Sequence, residues 1–494
     1  MLAPAVPTMD NAFMDMYFFF VPNRLATYGE KDWQKIQREN TTGFWAPTTE
    51  STLANTSNNF KINGRSITVH SAANYLGLPI ISSGGANFNN LPFSLLPLNA
   101  YIAIWNEWFR DQNTQPPRSK LNSSSGVDID FYLGNCLSVN KLHDYYTSVL
   151  PSPQKGASVL LPLAGIAPVK TSSSETVSGT QQAVTFNEAT DGDSPRTNLP
   201  LMFTAGGVLV DASANEPTSI GALEAVYPSN LYADLANATA ASVNEMRQAF
   251  AIQRLLEKDA RGGTRYREML KAHFGVTIPD LTIQVPEYLG GKRVPLNITQ
   301  VLQTSETNIS PLGTTGAFSN TSCSDYGFIK SFNEYGMILG VMCVRPEQSY
   351  SQGIPKFWTK NRRYDWYLPA LANIGEQPVF KRELFIANSP TAAELESVFG
   401  YQEAWAEYRY HPNLVTGKLA PNANDNTFTA WTYTSKFISQ PTLNSQFMVQ
   451  PQSQIGDTLV VPLTQNQFVG DFYFDVKCTR PMPLYSIPGL IDHH

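Results

Sequence analysis

One short stretch of the sequence carries the residue types that bind single-stranded nucleic acid. Cations and aromatic rings alternate along it, and only Asp365 opposes the positive charge. Because cations follow phosphates while rings stack on bases, this pattern predicts contact with single-stranded DNA. The alternative is an interface strand whose rings belong to the core and whose arginines pair with a neighbouring subunit's carboxylates. The candidate DNA-binding residues are Lys356, Trp358, Lys360, Arg362, Arg363 and Tyr364.

A second basic cluster lies in the most helical part of the chain. Its cations are interleaved with Glu257, Asp259 and Glu268, and mixed signs at helical spacing are typical of a solvated or interface face. The motif Arg261-Gly262-Gly263-Thr264 can cradle a phosphate at a helix N-terminus, although a glycine pair is a weak signal. We therefore treat the cluster as a secondary site. Its members are Arg254, Lys258, Arg261, Arg265, Arg267 and Lys271.

The residues that usually carry catalysis form no pattern. The sequence has no nucleophile elbow, zinc-protease motif, phosphate-binding loop or dinucleotide-binding glycine motif. The histidines are dispersed apart from His493-His494, and no cluster has the spacing of a metal site. His143-Asp144 is more typical of a structural histidine than of half a catalytic relay. We predict that the protein is not an enzyme and has no cofactor and no metal.

The elements that position these residues are mostly strands. The apolar run at 16–21 and the alternation at 127–133 each predict a strand. The runs at 327–332 and 336–344 flank a turn, which indicates a hairpin, and we expect the latter run to be buried on both faces. Three more strands are predicted near the C-terminus, at 432–438, 458–461 and 471–476.

Helices are predicted only in connections. Apolar residues at helical spacing indicate helices over 98–113 and 243–262, then one that Thr264 can cap, and another over 391–399. Strands at both ends of the chain with helices between them predict an antiparallel sandwich with enlarged loops.

The composition favours a protein that hides much of its surface against other subunits. Only 15% of the 494 residues are charged, against about 25% in an average soluble domain, while aromatics make up 12%. Interfaces are rich in Tyr, Trp, Phe and Met and poor in Lys, Glu and Asp. The alternative is a neutral surface of Asn, Ser and Thr, as in many extracellular β proteins.

Charge, cysteines and hydropathy restrict the partners. The net charge of −6 gives no overall attraction to polyanions, so any nucleic-acid contact needs a local patch. The four cysteines form no CxxC pair, which argues against a disulfide framework and suits a reducing compartment. No apolar run approaches the ~18 residues that span a bilayer, so we predict no membrane insertion.

Long ordered stretches give a more specific signal than any short motif. The first reads Asn106-Glu-Trp-Phe-Arg-Asp-Gln-Asn113. The others lie at 143–156, 230–235, 259–266, 286–291, 364–377, 399–410 and 487–492. Together they resemble the major capsid protein of the gokushovirus branch of the Microviridae, small bacteriophages with circular single-stranded DNA. The resemblance covers most of the chain and fades in 157–228.

The resemblance implies a fold and a function. The expected fold is mainly β, an eight-stranded antiparallel jelly roll of the viral capsid type with large loop and helical insertions. Residues 1–156 would form its N-terminal part, with a helical insertion near 97–113, and residues 229–494 would supply helical insertions and the C-terminal strands. About sixty such subunits would self-assemble into a T=1 icosahedral capsid that encloses the DNA.

Residues 157–228 are polar and turn-forming around short apolar runs, which predicts an exposed excursion. In the family, a variable insertion at this place forms protrusions at the three-fold axes. The resemblance therefore implies that this region contacts the host cell. The candidate contact residues are Ser172, Ser173, Ser174, Asp191 and Asp193.

The resemblance also implies partners and a location. Beside other copies of the chain and packaged DNA, these are an internal scaffolding protein, a DNA pilot protein and a bacterial surface receptor. The protein is expected in the virion after assembly in the host bacterial cytoplasm. Family members have a basic leader and a first strand before the stretch that begins at Leu2, so either Met1 is not the biological start or this member lacks the leader.

Two other classes of function stay open at this point. A carbohydrate-binding or adhesion β-sandwich protein would use polar loops and exposed rings as sugar platforms. A glycoside hydrolase on a β scaffold would need two convergent carboxylates, which the sequence cannot place.

Overall fold

The structure is a computed structural model, and its described part forms two compact units. The first comprises Met1–Pro153 with Asp259–His494, and the second comprises Gln154–Lys258. The residues that the structure describes are 2–28, 59–61, 65–82, 92–159, 169–171, 186–188, 201–203, 209–211, 218–219, 226–228, 231–233, 243–280, 282, 284–306, 311–324, 327–421, 428–461 and 467–480.

Strands are the commoner element in these ranges. In chain order, β1 to β18 are Ala12–Pro22, Asn59–Lys61, Pro92–Ser94, Val169–Thr171, Phe186–Glu188, Leu201–Phe203, Leu209–Asp211, Thr218–Ser219, Val226–Pro228, Leu231–Ala233, Glu287–Pro295, Ile298–Leu302, Thr315–Ser319, Gly336–Pro346, Ser349–Tyr350, Glu376–Phe380, Val398–Glu403 and Asn413–Leu414. The mainly β prediction agrees with this content.

Helices are fewer and mostly short. The α-helices α1 to α9 are Asn23–Ala26, Ala72–Tyr75, Leu96–Ile104, Gly126–Gly134, Val243–Gly262, Tyr266–Phe274, Ala392–Leu395, Ser445–Met448 and Gln452–Gly456. A π-helical turn, Trp105–Phe109, continues α3. Turns of 3-10 helix lie at Lys356–Thr359, Arg363–Asp365, Pro369–Leu371, Lys381–Glu383, Ala406–Tyr408, Gly417–Leu419 and Thr429–Trp431.

The longest strands of the first unit form one antiparallel sheet in the order β11-β1-β14. The predicted strand at 16–21 is its central member. Phe19 and Val21 are buried against α3, and the Phe19 ring lies 5.5 Å from that of Trp108 on the π-helical turn. The predicted helix over 98–113 is therefore confirmed in α3 and its π-helical continuation, but it ends earlier, at Phe109, and it covers one face of the sheet.

Other sheets in the described ranges have two or three strands. In the first unit, β12 pairs with β13, β16 with β17 and β2 with β3, all antiparallel, while β15 and β18 are parallel. An eight-stranded jelly roll is thus not assembled within the described residues, since their largest sheets have three strands.

The second unit contains small antiparallel sheets of its own. β4 pairs with β10, β5 pairs with β9, and β6, β7 and β8 form a three-stranded sheet. The candidate host-contact residues Ser172, Ser173, Ser174, Asp191 and Asp193 lie outside the described residues. Helix α5 confirms the prediction over 243–262, but its apolar stripe, which includes Phe250 and Leu255, is exposed in the described part of the chain.

The predicted strand at 127–133 is wrong, because this segment is helix α4. Ile129, Tyr132 and Leu133 are buried together at i, i+3 and i+4, which is helical spacing, while Val127 is 85% exposed. The predicted helix over 391–399 is too long. Thr391 caps α7, which ends at Leu395, and β17 begins at Val398.

The predicted hairpin and C-terminal strands are only partly present. β14 confirms the run at 336–344, but Ile338 and Met342 are about half exposed, so the strand is not buried on both faces here. The other four predicted segments, 327–332, 432–438, 458–461 and 471–476, form no strand in the described chain.

Asp15 places a charge in the middle of the central sheet. Its carboxylate is 1% exposed and accepts hydrogen bonds from Arg293 on β11, 2.6 Å from Nε to Oδ1, and from Arg345 on β14. Burial alone would raise the pKa of Asp15, but the hydrogen bonds from Arg293 and Arg345 outweigh it, so the pKa lies below its ordinary value of 3.8.

We predict that Asp15→Asn destabilises the protein by about 3 kcal/mol at pH 7, because it leaves two guanidinium groups without their shared partner. A carboxyl with a lowered folded-state pKa stabilises the fold above its unfolded pKa and loses that contribution as the pH falls through its folded pKa. The difference from wild type should therefore shrink below about pH 3.8. Urea unfolding at several pH values measures it.

Asp457→Asn is the control, because Asp457 pairs with Lys436 at 3.1 Å on an exposed surface. A difference between Asp15→Asn and wild type that stays constant from pH 7 to pH 2.5 would contradict the lowered pKa.

Candidate nucleic-acid interface

The stretch that carries the first basic cluster is a pair of turns, not the interface strand of the alternative interpretation. The 3-10 turns Lys356–Thr359 and Arg363–Asp365 are joined by three residues. Asp365 Oδ2 accepts the backbone N–H groups of Asn361, 3.0 Å away, and Arg362, 2.7 Å away. The one acidic residue of the stretch therefore fixes the backbone between the two turns.

The aromatic rings of these turns point outward. Trp358 is 74% exposed, and Tyr364 is exposed to a similar degree. Phe357 meets both Trp358 and Trp366 edge-on, with ring centroids 6.0 and 5.9 Å apart. These contacts hold the rings in place without covering them, so the faces of Trp358 and Tyr364 can accept a stacking partner.

Two of the four cations point inward. Lys360 is only 5% exposed in its side chain, and its Nζ lies 2.9 Å from Glu407 Oε1 and 4.0 Å from the ring centre of Tyr408. Burial alone would lower the pKa of the Lys360 ammonium, but its bonds to Tyr408 and Glu407 outweigh that effect and raise it. Lys356 lies 3.8 Å from the other carboxylate oxygen of Glu407. Both lysines thus neutralise a carboxylate of their own chain.

The two arginines of the cluster point outward. Arg362 and Arg363 are exposed, and within the described chain neither side chain forms an ion pair. The guanidinium of Arg363 lies 6.0 Å from the ring centre of Tyr364. The structure therefore joins Trp358, Arg362, Arg363 and Tyr364 into one exposed group of rings and cations, which we call the 358–364 patch.

The second basic cluster is divided between the two units. Arg254 and Lys258 belong to the second unit, and the other four members belong to the first. Arg265 donates to the Arg110 carbonyl at 3.0 Å and pairs with Glu107 and Glu268. The other two arginines of this cluster in the first unit, Arg261 and Arg267, also form ion pairs inside that unit.

The contacts of Arg265 and Arg267 bind α6 to the π-helical turn that follows α3. Arg267 pairs with Glu107 and Asp280, and its guanidinium lies 4.1 Å from the Trp108 ring centre. Arg261 pairs with Glu376. Of the four members in the first unit, Lys271 alone forms no ion pair within the described residues.

The proposed phosphate cradle also has an internal partner. The backbone N–H of Thr264 donates to Gln112 Oε1 at 2.7 Å, and the Thr264 hydroxyl bonds the same oxygen. Gly263 has φ +94°, so the glycine pair ends α5 as predicted. Helix α6 is preceded at its N-cap by Arg265, not by Thr264.

Sequence reasoning missed the buried carboxylates close to the lysines of the first cluster. Glu383 is buried and accepts the Phe380 N–H at 2.9 Å, and burial raises the pKa of its carboxyl to about 7. Glu407 lies in the 3-10 turn Ala406–Tyr408 and pairs with both lysines. The sequence signal was the presence of carboxylates in a chain poor in charge, but their distance along the chain hid the contact.

A cavity of about 510 Å³ gathers residues that are far apart in sequence. His143 and His411 both line it, as do Glu347, Glu403 and Arg409. Arg409 pairs with Glu403 at 2.8 Å, and Asp144 accepts the Tyr350 hydroxyl at 2.5 Å. His143 therefore lies at a cavity beside an aspartate whose carboxylate serves a structural hydrogen bond.

No three side chains of His, Cys, Asp or Glu within the described ranges converge on a point that can hold a metal ion. The described helices include none that is both long and apolar enough to cross a bilayer.

Comparisons with known proteins cover nearly the whole chain. Residues 1–490 match the model of a family described as "Capsid protein (F protein)". The chain is 34% identical to capsid protein VP1 of Bdellovibrio phage phiMH2K, with 98% of this chain and 86% of that protein covered. It is 33% identical to capsid protein VP1 of Chlamydia phage 1 and 34% identical to that of Spiroplasma virus 4. In each case 98% of this chain and 87% of the relative are covered. The resemblance to gokushovirus capsid proteins is confirmed.

We predict that Glu407→Gln destabilises the fold by about 3 kcal/mol, because it leaves the buried Lys360 ammonium without a countercharge. The midpoint of urea unfolding at pH 7 measures the effect. Glu403→Gln is the matched control, since it breaks the more exposed pair with Arg409 and should cost less than about 1 kcal/mol. Equal losses in the two variants would show that the Lys360 pair has no special weight.

Proposed function

Because the chain belongs to the capsid protein (F protein) family, we propose that it is the repeating subunit of a T=1 icosahedral shell that encloses single-stranded DNA. The family consists of structural proteins, so the protein is not an enzyme, and its place is the virion. The observation that carries the proposal is similarity to three VP1 capsid proteins over 98% of this chain. That similarity displaces the adhesion and glycoside hydrolase alternatives.

The proposed fold of the subunit in the shell is the eight-stranded jelly roll. Its support is the antiparallel sheet β11-β1-β14, whose outer members have nine and eleven residues and are separated from β1 along the chain by long insertions. Jelly-roll sheets combine strands that are distant in sequence in this way. Strands of the second sheet would come from segments such as 432–438 and 458–461, which carry strand patterns but form no strand in the described chain.

The proposed DNA contact is the 358–364 patch. Its two exposed rings can stack on bases, and its two outward guanidinium groups can contact phosphates. Lys356 and Lys360 would then act indirectly, because their ion pairs with Glu407 fix the turns that present the patch. Contacts of this kind do not depend on sequence and are individually weak, which suits a genome packaged against many identical subunits.

The proposed host contact is the variable insertion at 157–228, with Ser172, Ser173, Ser174, Asp191 and Asp193 as candidate residues. Its support is the polar, turn-rich sequence and the fading of family resemblance there. We further propose assembly in the host bacterial cytoplasm with a scaffolding protein and a DNA pilot protein. The four free cysteines agree with a reducing compartment.

Purified protein is expected to sediment as a multi-megadalton particle or as defined assembly intermediates. A surface poor in charge and rich in exposed rings favours association between copies. Analytical ultracentrifugation with electron microscopy of the peak fraction makes the measurement. A strictly monomeric species under every assembly condition would refute the shell.

Two variants with opposite expected defects test the DNA and host contacts together. Trp358→Ala with Arg362→Ala should leave shells intact but lower their DNA-to-protein ratio, because each lost stack is worth about 1–3 kcal/mol per base. Replacing Ser172, Ser173, Ser174, Asp191 and Asp193 with Ala should lower adsorption to host cells and leave the DNA content unchanged. Each variant is the control for the other.

The two assignments fail separately. If the first variant fails to assemble, or packages normally, the 358–364 patch is not a DNA contact. If the second adsorbs like wild type, the insertion residues are not the host contact.

A further inference from the structure

The sheet face that points away from α3 is covered by three phenylalanine rings. Phe328 packs on Phe18 with ring centroids 5.8 Å apart, and Phe332 stacks on Phe20 at 4.2 Å. Phe474 meets Phe18 edge-on at 6.2 Å. These rings come from two segments that form no strand, which we call the 327–332 segment and the C-terminal segment (467–480).

Within the C-terminal segment, residues 471–476 have the sequence of a strand but form no strand in the described chain. Phe472, Phe474 and Val476 alternate with Tyr473 and more polar residues, the two-residue period of a β-strand. Every residue from 468 to 480 is exposed, and Tyr473 is 90% exposed. Between 470 and 480, no backbone group bonds to another part of the described chain. An apolar segment with strand patterning and a backbone unpaired over 470–480 is a template for pairing with another chain.

The surface beside this segment is also apolar and open. Ile338 and Met342 on β14 are about half exposed on the same face as Phe18 and Phe20, and Ile329 is fully exposed. With the rings of the C-terminal segment, these side chains present roughly 800 Å² of apolar surface, taking 150–250 Å² for a large side chain. That is about the area that each partner buries in a standard stable interface.

Charge favours burial of this surface. Lys330 and Glu334 are paired within the chain, with Glu287 at 2.7 Å and Arg24 at 2.8 Å. The charges of the C-terminal segment cancel, two acidic against two basic residues. Covering this surface would therefore bury few charged side chains without a partner. An apolar interface is stable under that condition.

We propose that this surface is an interface between copies of the chain, in which the C-terminal segment of one copy lies as a strand against the 327–346 region of its neighbour. The inference rests on the proposed shell, which supplies the second copy at high local concentration. This pairing between copies would give the backbone of 470–480 hydrogen-bond partners. It would also cover the side chains of Tyr473, Ile338 and Met342.

Cross-linking between isotopically distinct copies tests the exchange. Lys477 lies in the C-terminal segment and Lys330 in the 327–332 segment, and both are accessible. Particles reassembled from an equal mixture of ¹⁴N- and ¹⁵N-labelled chains should yield mixed-isotope Lys477–Lys330 cross-links by mass spectrometry. Cross-links confined to same-isotope pairs would show that the segment stays on its own copy and would overturn the proposal.

A substitution at the most exposed ring supplies the second test. Tyr473→Asp should leave the unfolding midpoint of the unassembled chain unchanged and lower particle yield about tenfold or more, as expected for an interface anchor. Tyr473→Phe, the matched control, should assemble like wild type. Normal assembly of Tyr473→Asp, or a lowered midpoint before assembly, would overturn the interface and leave the shell proposal intact. Failure of wild type itself to form particles would instead count against the shell.

Discussion

The packing of β1 on both of its faces is the constraint on which the first unit depends. One row of its side chains, with Phe19 and Val21, meets the helix α3 and its π-helical continuation. The other row, with Phe18 and Phe20, is met by rings from segments distant in sequence. A strand between two apolar layers fixes the register of β11 and β14 beside it, because a shift of one residue would exchange the two rows.

Several charges in the described part of the chain hold its own elements together. Asp15 joins the three strands of the central sheet through two arginines, and Arg265 and Arg267 join α6 to the π-helical turn after α3. Such ion pairs neutralise charged side chains within the chain itself. What remains outside is rich in rings and poor in charge, which is the surface that a subunit of a closed shell needs.

The 358–364 patch shows the same division between inward and outward groups. By sequence, Lys356 and Lys360 are as good candidates for DNA contact as the arginines. In the structure the two lysines point inward to Glu407, while the arginines and rings beside them point to solvent. The inner pairs give the turns their shape, and the outer groups are available to a partner. Capsid function in this family thus requires no reaction centre, only surfaces that are presented in a fixed geometry.

The sequence by itself determined the family, the strand at the centre of the main sheet, the helix that covers it and the position of the glycine stop after α5. These follow from long ordered similarity and from apolar patterns that one element can satisfy alone. Only the tertiary structure decided that 127–133 is a helix, since strand and helix patterns overlap over so short a run and burial of Ile129, Tyr132 and Leu133 on one side chose between them. It also decided which cations of the basic clusters point outward. The direction in which a cation points depends on carboxylates that lie far away in the sequence, Glu407 for Lys360 and Glu107 for Arg267. The residues next to each cation in the sequence do not indicate that partner.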